Sequence, residues 1–322
     1  MQTNIKVTDY LLVAITPLCW ATDVVLARGV VGIIPPFSLA FWRWFVAFLV
    51  LLPFAFSHIR RDLDEIKRTW KLLFLLSILG ISVFISLIYT AVQTTTAINV
   101  ALIQTAMPVA IAISCYILYK EKTSVLQGSC LAVCCLGVCF VVLQGKLSNI
   151  FGVTFVLGDL LMLIATLMFG MYSALLQKKA PKLSPLSMLS VLSGLGALVL
   201  LPAHAFEVFV GGGFDVTLNV VSRIMYAAIF PAIVAYFCWM RGVSTIGAKR
   251  TGIFINLLPV FASILAIVFL GEVFRWFHLV GMCLIVSGML AFNKFEVDVV
   301  DVEEKAIQPT GDRKDYCSFG GE

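Results

Sequence analysis

Charge is scarce in this chain. Only 13% of its 322 residues are Asp, Glu, Lys or Arg, where a soluble domain carries about 25%. Histidine is scarcer still: His58, His204 and His278 lie near the ends of apolar runs and show no ligand spacing. There is no Walker A motif, no glycine-rich phosphate loop, no nucleophile constellation and no metal signature. ATP-driven chemistry, a bound metal and a resident cofactor therefore find no support. A membrane-embedded enzyme would need a polar catalytic cluster at one face, and none is found. Basic residues lie in short loops between apolar runs rather than on one face, so nucleic acid is excluded as a partner.

What fills the chain is apolar. Hydrophobic residues make up 61%, and the mean hydropathy is +1.01. A soluble fold could not keep so much apolar surface from water. The runs last about 18–24 residues, which suits membrane helices and not the roughly 10-residue strands of a membrane barrel. The fold class expected is an all-α polytopic membrane protein in contact with the lipid bilayer. The first run follows only Lys6 and no clean cleavage site, so it reads as a retained helix. Of the nine cysteines, eight sit inside apolar runs, where they read as small packing residues.

Ten spans are expected, at about 9–28, 36–57, 70–92, 96–119, 124–143, 153–177, 184–207, 219–241, 247–270 and 274–293. Loops are short apart from the polar stretch His58–Lys71 and the glycines at 211–213. With a cytoplasmic amino terminus, the inside segments before the tail hold 14 Lys and Arg and the outside segments hold four. Basic residues collect on the cytoplasmic side, so both termini are expected there. Residues 294–322 carry eight acids and four bases, and are expected to form an acidic, disordered cytoplasmic tail. Residues 1–8 form the short cytoplasmic start.

The chain also repeats itself. "PFSLAFWRWFVAFLVLLP" at 36–53 aligns with "PLSMLSVLSGLGALVLLP" at 185–202. "ALIQTAMPVAIAISCYILYKE" at 101–121 aligns with "GIFINLLPVFASILAIVFLGE" at 252–272, and "DYLLVAIT" at 9–16 with "DLLMLIAT" at 159–166. The offsets are 149, 151 and 150 residues. Five helices per copy put the second copy into the membrane the other way up. Residues 9–146 and 153–293 thus read as two inverted five-helix repeats, a design common in secondary transporters.

This organisation resembles the EamA type of the drug/metabolite transporter superfamily. The likeness rests on the polar interruption in "PLCWATDVVLARG", the aromatic-arginine segment "FSLAFWRWFVA", and the mid-helix prolines followed by "YKEKTS" and "LGEVF". The resemblance implies a multi-pass protein of the bacterial cytoplasmic (inner) membrane. It also implies a secondary transporter that moves a small organic metabolite, such as an amino acid or related compound, by alternating access, most often outward. Uptake or exchange of a nucleoside cofactor such as S-adenosylmethionine is a second transport reading. A non-transporting membrane subunit or regulator, docked through the acidic tail, is a reading from another class.

Candidate site residues follow from the cost of polarity at membrane depth. Asp23 and Arg43 enter from opposite sides, yet both lie roughly 10 Å below the outer surface at 1.5 Å per residue. They are expected to pair near the outer mouth of a cavity, or to hold two helices together. Asp23 is the one deep carboxylate and hence the candidate H+ carrier, a role its pairing with Arg43 weakens. Pro108 and Pro259 fall mid-span, where proline kinks a helix and frees the carbonyl four residues earlier. They are candidate paired hinges. Gln104, Thr105 and Asn256 lie beside them and could hold the polar end of a small-molecule substrate. Trp20, Trp42, Tyr89, Tyr172 and Trp239 could line an aromatic cavity suited to planar or cationic ligands. At most one of Trp42 and Trp44 can share the face of Arg43. Asp9, Asp159, Glu121 and Glu272 read as helix caps.

Overall fold

A computed structural model describes residues 7–120, 124–143, 145 and 156–307. All regular structure among them is helical. The first half holds α1 (Val7–Gly29), α2 (Pro36–Arg61), α3 (Leu63–Ser77), α4 (Val83–Ala91), α5 (Ala97–Gln104), α6 (Met107–Tyr119) and α7 (Val125–Val142). The second holds α8 (Leu157–Lys179), α9 (Pro185–Gly211), α10 (Leu218–Ala227), α11 (Ala235–Thr245), α12 (Ala248–Ile253), α13 (Leu258–Leu270) and α14 (Trp276–Ile307). Local chemistry sets several starts. α2 and α9 begin with proline in the first turn, where the missing N–H costs nothing. Ser124 and Gln127 form a reciprocal capping box on α7.

Among the described residues, seven helical stretches are long and apolar enough to cross a membrane. The α5–α6 pair, bent by 42°, makes an eighth if read as one broken span. The apolar stretches Val125–Val141 and Trp276–Phe292 are shorter. Large side chains such as Phe54, Phe206, Phe209 and Phe269 point outward, exposed as a lipid-facing surface requires. The chain is a multi-pass integral membrane protein.

Two expectations about connections are corrected. His58–Lys71 is not a loop, because α2 and α3 run through it and meet at Asp62. The polar residues there sit on helix ends. α14 also continues to Ile307, so the first part of the acidic segment is helical where disorder is expected; 308–322, like Glu121, lies outside the described residues.

The helices pack in interchangeable pairs. α6 lies on α8 as α13 lies on α1, and α4 lies on α8 as α11 lies on α1. α2 packs on α9, and α7 on α14. Swapping the two halves exchanges the members of the first two sets and maps α2–α9 and α7–α14 each onto itself. Irregularities repeat too. α3 joins α4 through a π-helical turn at Ile78–Ser82, and α10 joins α11 through one at Ala228–Val234. The α5–α6 break is matched by a 3₁₀ turn at Phe254–Leu257 between α12 and α13. π-turns and helix breaks at membrane depth need side-chain or cavity partners for the carbonyls they free.

Candidate functional site

A buried polar centre of the core joins α1, α2 and α4. Arg43 on α2 is fully buried, and Asp23 on α1 is 3% exposed. Arg43 Nη1 donates to Asp23 Oδ2, making the pair that the matched depths predict. Tyr89 on α4 completes it: its hydroxyl accepts from Arg43 Nη1 at 2.7 Å and donates to Asp23 Oδ1 at 2.9 Å. Both carboxylate oxygens are thus engaged, and one cation balances one anion. The guanidinium also lies 5.3 Å from the centre of the Trp44 ring and 5.9 Å from that of Tyr89.

Behind this triad the aromatic side chains close on one another. Trp20 meets Phe169 at 5.3 Å, Trp239 at 5.2 Å and Tyr236 at 5.7 Å between ring centres. Phe169 meets Tyr172 at 5.1 Å, and Tyr236 meets Trp44 edge-on at 4.8 Å. The cluster draws on α1, α2, α8 and α11, two helices from each half. It also serves the π-turns. Trp20 Nε1 donates to the carbonyl of Pro231 at 3.3 Å, and the Tyr236 hydroxyl donates to that of Gly80 at 2.5 Å. Each turn therefore gives one of its carbonyls to an aromatic donor of the cluster.

Several buried polar atoms here have no hydrogen-bond partner among the described residues. They are Arg43 Nε and Nη2, Trp44 Nε1, Trp239 Nε1, the Tyr172 hydroxyl, Gln104 Oε1 and Asn256 Oδ1. A buried donor or acceptor without a partner costs about 1–3 kcal/mol. The donors among them lie on Arg43 and the aromatic cluster, and the two amide oxygens lie at the breaks before α6 and α13.

Not every expected residue joins this centre. Trp42 faces away, against Phe41, Phe45 and His204, and lines a separate pocket of about 470 Å³ between α2, α9 and α10. Trp44 takes the place expected of it, because the two indoles leave the helix about 200° apart. Thr105 Oγ1 turns back on the carbonyl of Leu102 at 2.5 Å. The prolines are corrected as well. Pro108 and Pro259 do not kink helices from within; each is the second residue of a new helix, α6 or α13. The chain breaks just before each proline, which is cheaper than losing a hydrogen bond inside a helix.

Among the expected caps, Glu272 does cap a helix, but not a neighbouring one. Its carboxylate accepts from the Ala97 and Ile98 N–H groups of α5 at 2.8 and 3.1 Å. Asp159 does not cap α8: its Oδ1 accepts from Thr95 Oγ1 at 2.5 Å and Asn99 Nδ2 at 3.4 Å. The side chain of Asp9 lies outside the described residues.

Comparison with known proteins follows the same lines. The EamA-like transporter family model matches residues 8–143 and 156–294. An uncharacterized transporter of Bacillus subtilis, YetK, is 28% identical over 298 residues, covering 91% of this chain and 87% of the relative. Another from that organism, YyaM, is 26% identical over 82% of this chain and 87% of its own length. An uncharacterized transporter of Archaeoglobus fulgidus is 25% identical, over 87% of this chain and 95% of the relative. A solved crystal structure superposes with a TM-score of 0.64 at 18% identity, covering 89% of this chain and 98% of the other. That likeness shows the fold.

Proposed function

We propose that this chain, which belongs to the EamA-like transporter family, is a secondary carrier that exports a small organic metabolite by alternating access. It is a membrane transporter and not an enzyme. Ten crossings in two inverted five-helix repeats, with both termini cytoplasmic, are the arrangement that the interchangeable packing pairs and the 14-to-4 basic asymmetry support. The Bacillus relatives suit a bacterial cytoplasmic membrane.

The observation that carries the reading is the set of buried unpartnered polar atoms, donors on Arg43 and Trp44 and amide oxygens at the two helix breaks. Arg43 Nη2 and Trp44 Nε1 present donors for a carboxylate, while Gln104 Oε1 and Asn256 Oδ1 present acceptors for an amino group. An amino acid or a related zwitterion offers that combination, and its side chain suits the aromatic wall. In this closed state the Asp23–Arg43–Tyr89 triad bars the end expected to face outward. The helix breaks before Pro108 and Pro259 are the hinges about which the two halves rock. Outward movement is the direction that the family resemblance implies.

Solute binding tests the reading without presuming direction. Intrinsic tryptophan fluorescence of the purified protein, titrated with a panel of amino acids and nucleoside cofactors, should saturate for one chemical class. Arg43→Gln should weaken that binding about tenfold or more, since a charged hydrogen bond contributes about 1.5–3 kcal/mol. Saturation by nucleoside cofactors alone would replace the amino-acid reading. Binding unchanged in Arg43→Gln would remove Arg43 from the site.

A further inference from the structure

A second buried polar centre lies away from the triad, where the amino-terminal ends of α5, α8 and α14 meet. Asp159 on α8 is fully buried, and Thr95, Asn99 and His278 are 3–4% exposed. Hydrogen-bond direction can be assigned along the whole chain of groups. The Arg275 N–H donates to His278 Nδ1 at 3.1 Å, so the ring proton is on Nε2. That N–H donates to Asn99 Oδ1 at 3.1 Å, which turns the Asn99 amide nitrogen toward Asp159 Oδ1. Thr95 Oγ1 donates to the same oxygen. Asp159 Oδ2 has no partner among the described residues.

No lysine or arginine side chain is paired with Asp159 among the described residues. α4, α5 and α6 carry no charged residue at all. From the other elements, four groups come near. Arg28 at the end of α1 spends Nη1 on the Val92 carbonyl at 2.6 Å, and Glu272 is held by the α5 N–H groups. The Arg275 side chain is exposed, and His278 is neutral in its present bonding. Charges on α3, α11 and α12 lie at the far end of α8: Glu65 bonds the Lys182 N–H, and Gly247 abuts Gln177. A buried carboxylate needs a cation, a full set of donors or a proton. Among the described residues the donors reach one oxygen only, and no cation is supplied.

We infer that Asp159, with Thr95, Asn99 and His278, forms a proton-binding site that is filled while the ends of α5, α8 and α14 are packed together. The proton sits on Oδ2, and the neutral acid needs no counter-charge. Parting of these helices admits water; the O–H bond then breaks, the proton passes to water as hydronium, and a hydrated carboxylate remains. Closure reverses each change. Resting on the carrier reading, this moves the proton-linked step from Asp23, whose two oxygens are occupied by Arg43 and Tyr89, to Asp159.

Infrared difference spectroscopy of the full chain in liposomes reads the site directly, with no solute present. Titration of the wild type from alkaline to acid pH should raise a carboxylic-acid carbonyl component that is lost in Asp159→Asn and kept in Glu207→Gln, a carboxylate that instead accepts from the Phe37 and Ser38 N–H groups of α2. Thr95→Val, which deletes one donor and keeps the shape, should move the midpoint of that band by about one pH unit. The same set of titrating carbonyl components in Asp159→Asn as in the wild type overturns the inference. So does a midpoint unmoved in Thr95→Val, which decides the matter if Asp159→Asn does not fold. A titrating Asp159 band supports the site whether or not a solute is carried; failure of solute flux bears on the carrier reading alone.

Discussion

Replacing Asp23 by Asn should open the end of the bundle that the triad closes. Arg43 is fully buried, and its partners are one carboxylate and one phenol. Removing the carboxylate leaves a buried guanidinium without a counter-charge, a loss of about 3–5 kcal/mol. The open state, in which water reaches Arg43, does not suffer that loss. At about 1.4 kcal/mol per tenfold, the open-to-closed ratio rises roughly 10²-fold to several thousandfold. Cys19 reports the change: it lies one turn before Asp23 on α1 and is 7% exposed. With the other cysteines replaced by serine, its reaction with a membrane-impermeant thiol reagent should speed up by about that factor in Asp23→Asn. The double variant Asp23→Asn/Arg43→Gln removes the stranded charge and should return most of the protection. Unchanged labelling in the single variant, or equally fast labelling in the double, would refute the reasoning.

Three further outcomes follow. Pro108→Ala and Pro259→Ala let the two halves of a broken span join, so solute flux at saturation should fall several-fold while solute affinity holds; unchanged flux would discard the hinges. Gly170→Ala places a methyl group 2.7 Å from the Ala110 backbone carbon, and should lower stability by about 1–3 kcal/mol in thermal melts. Gly128→Ala, with nothing within 4 Å, should be neutral beside it. Asp62 accepts from the Ser184 N–H at 2.9 Å, which holds its carboxyl below the ordinary value of 3.8. Its contribution to stability is therefore complete above that value and fades as pH falls through the lowered one. Asp62→Asn should flatten that acid-side decline in melts taken across pH; an unaltered profile would count against the contact.

Much of this arrangement is legible in the sequence, for identifiable reasons. Long apolar runs declare membrane helices, and the 150-residue offset exposes the repeat. Asp23 and Arg43 can be matched by counting residues from each membrane face. Facing is harder to read. Trp42 and Trp44 flank Arg43, and only the packing of α9 and α11 shows that Trp44 turns inward. Proline in an apolar run reads as a kink, because nothing local says that the helix has already broken before Pro108 and Pro259. π-turns leave no mark in composition. The Asp159 centre is hidden most completely: it joins residues 60, 64 and 179 positions apart in sequence. A single carboxylate at a helix start reads as a cap until its partners are seen.

Flux of labelled solutes into sealed vesicles of both orientations tests the central claim most directly, with amino acids and nucleoside cofactors in the panel and Asp23→Asn beside the wild type. Saturable flux of one solute class that is lost in Asp23→Asn is the predicted result. A folded, correctly inserted wild type that moves no member of the panel, or a variant that moves its solute undiminished, would contradict a carrier gated by Asp23 and Arg43.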